Sequence, residues 1–288
     1  MTINNSQPIF IIGISRSGSK FYQQLLNSNN EICIAPEMNF YFPFKQDVRD
    51  LILKNIHKGS DKIVEELYKS PLKNTFKDII STFDRIELTE QIKKNGQCNV
   101  GNIFKSILQL HCEANGKKIY GAKFPIHNSK LHFLNKHFPT AKIIFIIRNP
   151  FDIFYSDLIK KIHRANNEKS SFVTNNTFII KLIFPFYIAF EWSHMLRNYE
   201  KYISKFGSQH SILLKYEMIE SKPNIIVDKI AKLLEISPSK FDLNKIQIVD
   251  SSKKNIISHK ISRPYISISK FLLKTMLFCR LKKYNIKY

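Results

Sequence analysis

Acidic residues are scarce in this chain. Of its 288 residues only 23 are Asp or Glu, against 45 Lys or Arg, which gives a formal net charge of +22. Such a bias creates a positive field that draws anions, so nucleic acid, an anionic membrane and a multiply charged nucleotide are all compatible with it. Lys, Ile and Asn are also abundant in proteins from AT-rich genomes, so the charge is discounted as evidence for nucleic acid and no nucleic-acid partner is expected. Cysteine is scarce as well. Cys33, Cys98, Cys112 and Cys279 form no C-x-x-C pair and show no ligand spacing with histidine. That argues against a bound metal and leaves reduced thiols as the expectation. No apolar run reaches the length of a membrane span. The first apolar stretch follows Asn4-Asn5-Ser6-Gln7 rather than a basic region, so it reads as a core strand and not as a signal peptide. Internal repeats and long low-complexity segments are lacking too.

What is present is organised around that first strand. Pro8 to Ile14 reads P-I-F-I-I-G-I, a short and nearly continuous apolar run that suits a central strand of a parallel sheet, buried on both faces. It stops at Ser15-Arg16-Ser17-Gly18-Ser19-Lys20, and F-Y-Q-Q-L-L then continues at helical spacing. A strand, a small basic turn and a helix make an anion cradle. The N–H groups of the turn and of the helix start converge on one spot, where the helix dipole adds positive potential. Gly13 and Gly18 have the separation of the glycines in the nucleotide-triphosphate loop G-x-x-x-x-G-K-[ST]. Here, however, Ser19 follows Gly18 and Phe21 follows Lys20, so no hydroxyl stands after the lysine to hold magnesium. The cation inside the loop is Arg16.

Along the rest of the chain, strands are expected at Ile32 to Ala35, Ile119 to Phe124, Lys142 to Ile147 and Ile212 to Tyr216. Helices are expected at about Ser129 to His137, from near Pro150, at Thr177 to Phe206 and at Pro223 to Leu234. The alternation predicts an α/β three-layer sandwich with a central parallel sheet. Residues from about 45 to 115 read as helices and are longer than an ordinary crossover, so they are taken as a substrate-facing helical insertion. The main domain is expected to span residues 1–259, and residues 260–288 form a basic amphipathic tail. That tail either lies on an anionic bilayer or docks on the domain as a helix.

A second motif leaves the fourth strand at its carboxyl end, where open α/β sheets bind ligands. It runs Arg148-Asn149-Pro150-Phe151-Asp152-Ile153-Phe154-Tyr155-Ser156. Arg suits phosphate because its planar fork can donate two hydrogen bonds at once. Pro150 suits a first helical turn, and Ser156 lies about two turns further on. Arg16-Ser17-Gly18-Ser19 resembles the R-S-G-T-T loop of sulfotransferases that use 3′-phosphoadenosine 5′-phosphosulfate (PAPS), with Lys20 where the second threonine usually stands. The Arg148-to-Ser156 segment resembles the R-x-P-x-D-x-x-x-S element of the same family. Tyr120-Gly121-Ala122-Lys123-Phe124-Pro125 resembles its G-x-K-x-P segment, and Ala189-Phe190-Glu191-Trp192 its tryptophan helix. Leu214-Lys215-Tyr216-Glu217 with Ser221-Lys222-Pro223 resembles its L-x-Y-E-x-L…P strand and helix. Val249-Asp250-Ser251-Ser252 is a weaker match to a cofactor-covering loop. The matches run from about Pro8 to Leu234 and follow the motif style of bacterial and tyrosylprotein-type sulfotransferases.

The resemblance implies a P-loop NTPase-like fold and sulfuryl transfer from PAPS to a hydroxyl acceptor, without a metal. In the family the first loop holds the 5′-phosphosulfate, here Arg16, Ser17, Gly18, Ser19 and Lys20. The second element holds the 3′-phosphate, here Arg148 and Ser156, and Lys123 approaches the transferring group. Tyr216 either lines the adenosine end or packs; packing is the expectation, as it is for Trp192. The leaving oxygen needs cations and N–H donors, which Arg16, Lys123 and the loop would supply. Glu37, in Ala35-Pro36-Glu37, is the candidate base, and His127 is the rival. The acceptor is left open among a carbohydrate, a lipid-linked glycan and a protein tyrosine. Rival classes are a P-loop kinase-like enzyme, which would lack a magnesium holder, and a basic membrane- or nucleic-acid-binding protein. A cytoplasmic protein is expected, held at the inner face of the membrane if the tail lies on it.

Overall fold

The computed structural model describes residues 7–38, 48–69, 74–124, 131–167, 177–246 and 263–286. Five parallel strands form one sheet: β1 (Ile9–Gly13), β2 (Ile32–Ala35), β3 (Ile119–Phe124), β4 (Lys142–Ile147) and β5 (Ser211–Lys215), in the order β2-β3-β1-β4-β5. The first strand is central, between β3 and β4, as its unbroken apolar run requires. Alternate residues feed two separate cores. Phe10, Ile12, Ile143, Phe145 and Ile147 face one, and Ile9, Ile11, Ile144 and Ile146 face the other. Every residue of β1, β2 and β4 is buried. A fully buried side chain of this kind stabilises the fold by about 1.5–3 kcal/mol, so the sheet is the main source of stability.

The second core is closed by α1 (Ser19–Ser28) together with α10 (Glu217–Ser221) and α11 (Pro223–Leu234). The first core is covered by the remaining helices. Between β2 and β3 run α2 (Val48–Asn55), α3 (Ser60–Lys69), α4 (Asn74–Ile80), α5 (Arg85–Lys94) and α6 (Val100–Ala114). The last of these differs from the expectation of a substrate-facing insertion. Ile103, Phe104, Ile107 and Cys112 are fully or almost fully buried, and Phe104 stacks on Phe10 of the central strand. So α6 belongs to the layer that covers the sheet.

Then follow α7 (Leu131–His137), α8 (Pro150–Asn167) and the 30-residue α9 (Thr177–Phe206). The basic tail forms α12 (Arg263–Lys283). Of its two expected placements the structure shows docking. Ser269, Leu273, Leu277 and Leu281 recur every four residues and are buried, the spacing of one helical face. Tyr265 meets Phe154, Lys283 pairs with Glu200 at 2.7 Å, and the Lys215 ammonium donates to the Asn285 carbonyl at 3.1 Å. Among the described residues no helix is long and apolar enough to cross a membrane.

Candidate functional site

Because all five strands are parallel, their carboxyl ends lie along one edge of the sheet. Each strand delivers one polar or aromatic residue there: Glu37 after β2, Lys123 on β3, Arg16 after β1, Arg148 after β4 and Tyr216 after β5. Together they line a cleft of about 450 Å³. Its walls hold five cations, Arg16, Lys20, Lys123, Arg148 and Lys160, against one carboxylate, Glu37. A cleft bordered by such an imbalance favours a polyanionic ligand.

The loop after β1 is shaped by two residues in the left-handed region. Gly18 has φ 92° and caps α1, and Arg16 has φ 68°. A positive φ suits glycine but is unusual for an arginine, and such conformations cluster where a loop clamps a ligand. A side chain on Gly18 would also run into the Tyr216 ring. The turn is closed by Ser17 N–H donating to the Ile14 carbonyl at 3.1 Å. Ser17 itself is fully buried against Gly13, so its hydroxyl packs inside the loop and does not line the cleft.

Arg16 joins the two sequence motifs. Its Nε donates to the Ser156 hydroxyl at 2.9 Å, and its carbonyl accepts from Arg148 Nη1 at 3.2 Å. The sequence pattern pairs Ser156 with Arg148; in the fold the serine is held by Arg16. The left-handed backbone turns that side chain toward α8 while its carbonyl meets Arg148. Arg148 is almost fully buried, and its guanidinium lies 4.4 Å from the Tyr216 ring centroid. Asp152, one turn along α8, stands 3.9 Å from Arg148 Nε. Tyr216 thus packs against Arg148 and also lines the cleft.

Sequence reading missed the supports of this side. The indole of Trp192, fully buried on α9, donates to the Arg148 carbonyl at 2.9 Å. Glu217 accepts from the Asn149 N–H at 2.7 Å, at the start of α8, where a carboxylate is favoured by the helix dipole. Lys160 lines the cleft one turn beyond Ser156; the four-residue spacing on one helix face was the available signal. Phe21 and Gln24, on α1, were missed as well.

At the other end of the cleft Lys123 and Glu37 form a pair at 4.0 Å, both mostly buried. Burial lowers the Lys123 pKa from its ordinary value; Glu37 opposes that shift, and Lys20 and Lys160 add to it. His127 and the 249–252 segment lie outside the described residues, as do Pro125 and Ser129. No residue of 48–115 lines this cleft among those described.

A family model described as "Sulfotransferase family" matches residues 8–240. The chain belongs to the sulfotransferase family. Solved sulfotransferases share its α/β fold. STF9 from Mycobacterium avium is 11% identical, with a TM-score of 0.53 over 100% of this chain and 78% of that one. The sulfotransferase domain of the curacin biosynthetic pathway is 16% identical, with a TM-score of 0.51 over 83% of this chain and 76% of that one. The corresponding domain of the Synechococcus PCC 7002 olefin synthase is also 16% identical, with a TM-score of 0.50 and coverages of 95% and 97%. Comparison with curated protein sequences finds no match. Family and fold together support sulfotransferase activity and a sulfate donor.

Proposed function

We propose that this sulfotransferase moves a sulfuryl group from PAPS to a hydroxyl acceptor. The observation that carries this reading is the interlock of Arg16, Ser156 and Arg148, which joins two anion motifs into one cradle. A donor with a phosphosulfate at one end and a 3′-phosphate at the other needs two such sites at fixed separation. The residues fit it. Arg148 Nε is buried without a hydrogen-bond partner, with only the Asp152 carboxylate near it at 3.9 Å, so it keeps a donor for a phosphate oxygen. Arg16, Lys20 and the N–H groups at the start of α1 suit the phosphosulfate, and Tyr216 presents an aromatic face for the nucleoside.

In the reaction the acceptor oxygen attacks sulfur while the bond from sulfur to the bridging phosphate oxygen breaks. Adenosine 3′,5′-bisphosphate leaves, and the acceptor proton goes to a base. By analogy with phosphoryl transfer, positioning and charge stabilisation supply most of the acceleration. Lys123 and Arg16 neutralise the charge that grows on the leaving oxygen. Glu37 receives the proton, and His127 is the rival for that role. The Lys123–Glu37 pair links the two tasks, because the Glu37 carboxylate favours the charged form of Lys123. The acceptor is a carbohydrate, a lipid-linked glycan or a protein tyrosine.

The experiment is incubation with PAPS labelled in its sulfate, in the presence of fractionated extracts, followed by mass analysis of products. Label in a hydroxyl-bearing product, made without added metal, supports the reading. Transfer that requires ATP and magnesium instead of PAPS overturns it.

A further inference from the structure

Helix α12 is apolar on two faces, and among the described residues only one of them packs against the fold. Ser269, Leu273, Leu277 and Leu281 pack inward. On the opposite side Ile268, Phe271 and Phe278 follow at intervals of three and seven residues, which sets them on a single outward stripe. They are no marginal cases: Ile268 is 60% exposed and Phe271 69%. Met276 is also exposed, on a different side of the helix. Lys270, Lys274 and Lys282 are exposed along the same helix, and no Asp or Glu follows Asp250 in the sequence.

The neighbouring helix repeats the pattern. On α9 Ile183, Phe186, Tyr187 and Phe190 are exposed at helical spacing, with Phe190 stacked on His194 and Arg197 and Lys201 exposed further along. The two helices run in the same direction. Tyr265 and Phe184 both meet Phe154, Arg280 donates to the Ser193 carbonyl and Lys283 pairs with Glu200. That registry sets Ile268 and Phe271 level with Phe186 to Phe190. Among the described residues eleven large apolar side chains are exposed, and eight of them lie on these two helices. A concentration of this kind marks an interaction surface, whereas scattered exposed residues do not.

We propose that the outer faces of α9 and α12 dock on an anionic lipid bilayer, with Ile268, Phe271 and Phe278 entering the headgroup boundary. The charge selects this occupant. A second copy would bring cation against cation, with no carboxylate on α12 to neutralise either. An anionic bilayer offers both the opposite charge and an apolar layer beneath it, which is how interfacial helices bind. The inference does not depend on sulfuryl transfer or on the identity of the donor.

The test uses the full chain in a flotation assay. Vesicles of phosphatidylcholine alone are compared with vesicles that also contain phosphatidylglycerol. The protein should float with the anionic vesicles and stay behind with the neutral ones, and salt should weaken the binding. Replacing both Phe271→Ser and Phe278→Ser should lower partitioning by about tenfold or more, the scale of two aromatic side chains returned to water. Thermal unfolding should be unchanged, since both side chains point away from the core. Three outcomes overturn the proposal. The unmodified protein does not float with anionic vesicles, even if it binds an oligonucleotide. The double variant floats as well as its parent, so that bulk charge alone is responsible. Or sedimentation shows a lipid-free dimer that the double variant abolishes, which assigns the face to a second copy.

Discussion

The cleft has two ends that differ in how they are built. At the β4–β5 end each functional group is held by something else. Trp192 fixes the Arg148 carbonyl, Tyr216 lies against the Arg148 guanidinium, and Arg16 ties the loop to Ser156. At the β2–β3 end, among the described residues, Lys123 and Glu37 pair at the long distance of 4.0 Å. The first end is preorganised for a ligand of fixed shape. The second brings two opposite charges close together in a mostly buried place. That is the division expected of an enzyme whose donor is constant and whose acceptor defines it. Preorganised charge supplies transition-state stabilisation without reorganisation cost, and on the proposed reading the β4–β5 end, which would take the donor, is where the structure invests in it.

This contrast can be broken most sharply at Glu37. Glu37→Gln keeps the size of the side chain and removes the proton acceptor. Single-turnover transfer should fall by roughly a hundredfold or more, the usual scale for losing a general base. Affinity for adenosine 3′,5′-bisphosphate should hardly change, because Glu37 stands at the far end of the cleft. If Glu37→Gln keeps the parent rate while His127→Gln is dead, the base is His127.

Gly18→Ala attacks the junction of the two ends. The new methyl group meets the Tyr216 ring and the backbone has φ 92°. A loss of about 1–3 kcal/mol in unfolding free energy is expected from backbone strain alone, together with weaker donor binding. The double variant Gly18→Ala/Tyr216→Ala should recover part of the stability, read by chemical denaturation. If it recovers none, the clash with Tyr216 is not what Gly18 avoids.

Lys123 gives a pH test. Burial lowers its pKa, so the protonated form needed at the leaving oxygen is lost at a lower pH than for an ordinary lysine. Transfer should therefore decline on the alkaline side earlier than free lysine titrates, and Lys123→Arg should push that limb to higher pH. The same shift makes a sign prediction for stability. In the window between the folded and unfolded pKa the unfolded chain binds more protons, so this group's contribution to stability rises with pH there. The smallest effect is expected for Trp192→Phe. It removes one hydrogen bond to the Arg148 carbonyl, worth about 0.5–1.5 kcal/mol, and should weaken bisphosphate binding a fewfold while leaving Glu37-dependent proton removal intact.

The Arg16 and Arg148 side of the cleft was legible in the sequence because its residues sit in short motifs that directly follow apolar strands. Arg16, Gly18 and Lys20 lie within five residues, and Arg148 and Ser156 within nine. Its supports were not legible. Trp192 is 44 residues from Arg148, and Arg16 is 140 from Ser156, so only the fold brings them together. Helix α12 resisted reading for a different reason. A helix apolar on opposite faces has no single amphipathic direction, and the pattern could not tell a docked helix from an interfacial one. For α6, helical spacing was visible but not its partner: the same apolar face fits an insertion or a sheet cover, and Phe10 decides for the cover.

The central claim is that two anion motifs make one site for a bisphosphorylated donor. The most direct measurement is calorimetric binding of adenosine 3′,5′-bisphosphate and adenosine 5′-monophosphate to the unmodified protein and to Arg148→Ala. The account predicts a preference for the bisphosphate of roughly tenfold to a hundredfold, the scale of a buried charge-assisted contact. It further predicts that Arg148→Ala erases most of that preference while monophosphate affinity changes little. Equal affinities of the unmodified protein for the two nucleotides would contradict it.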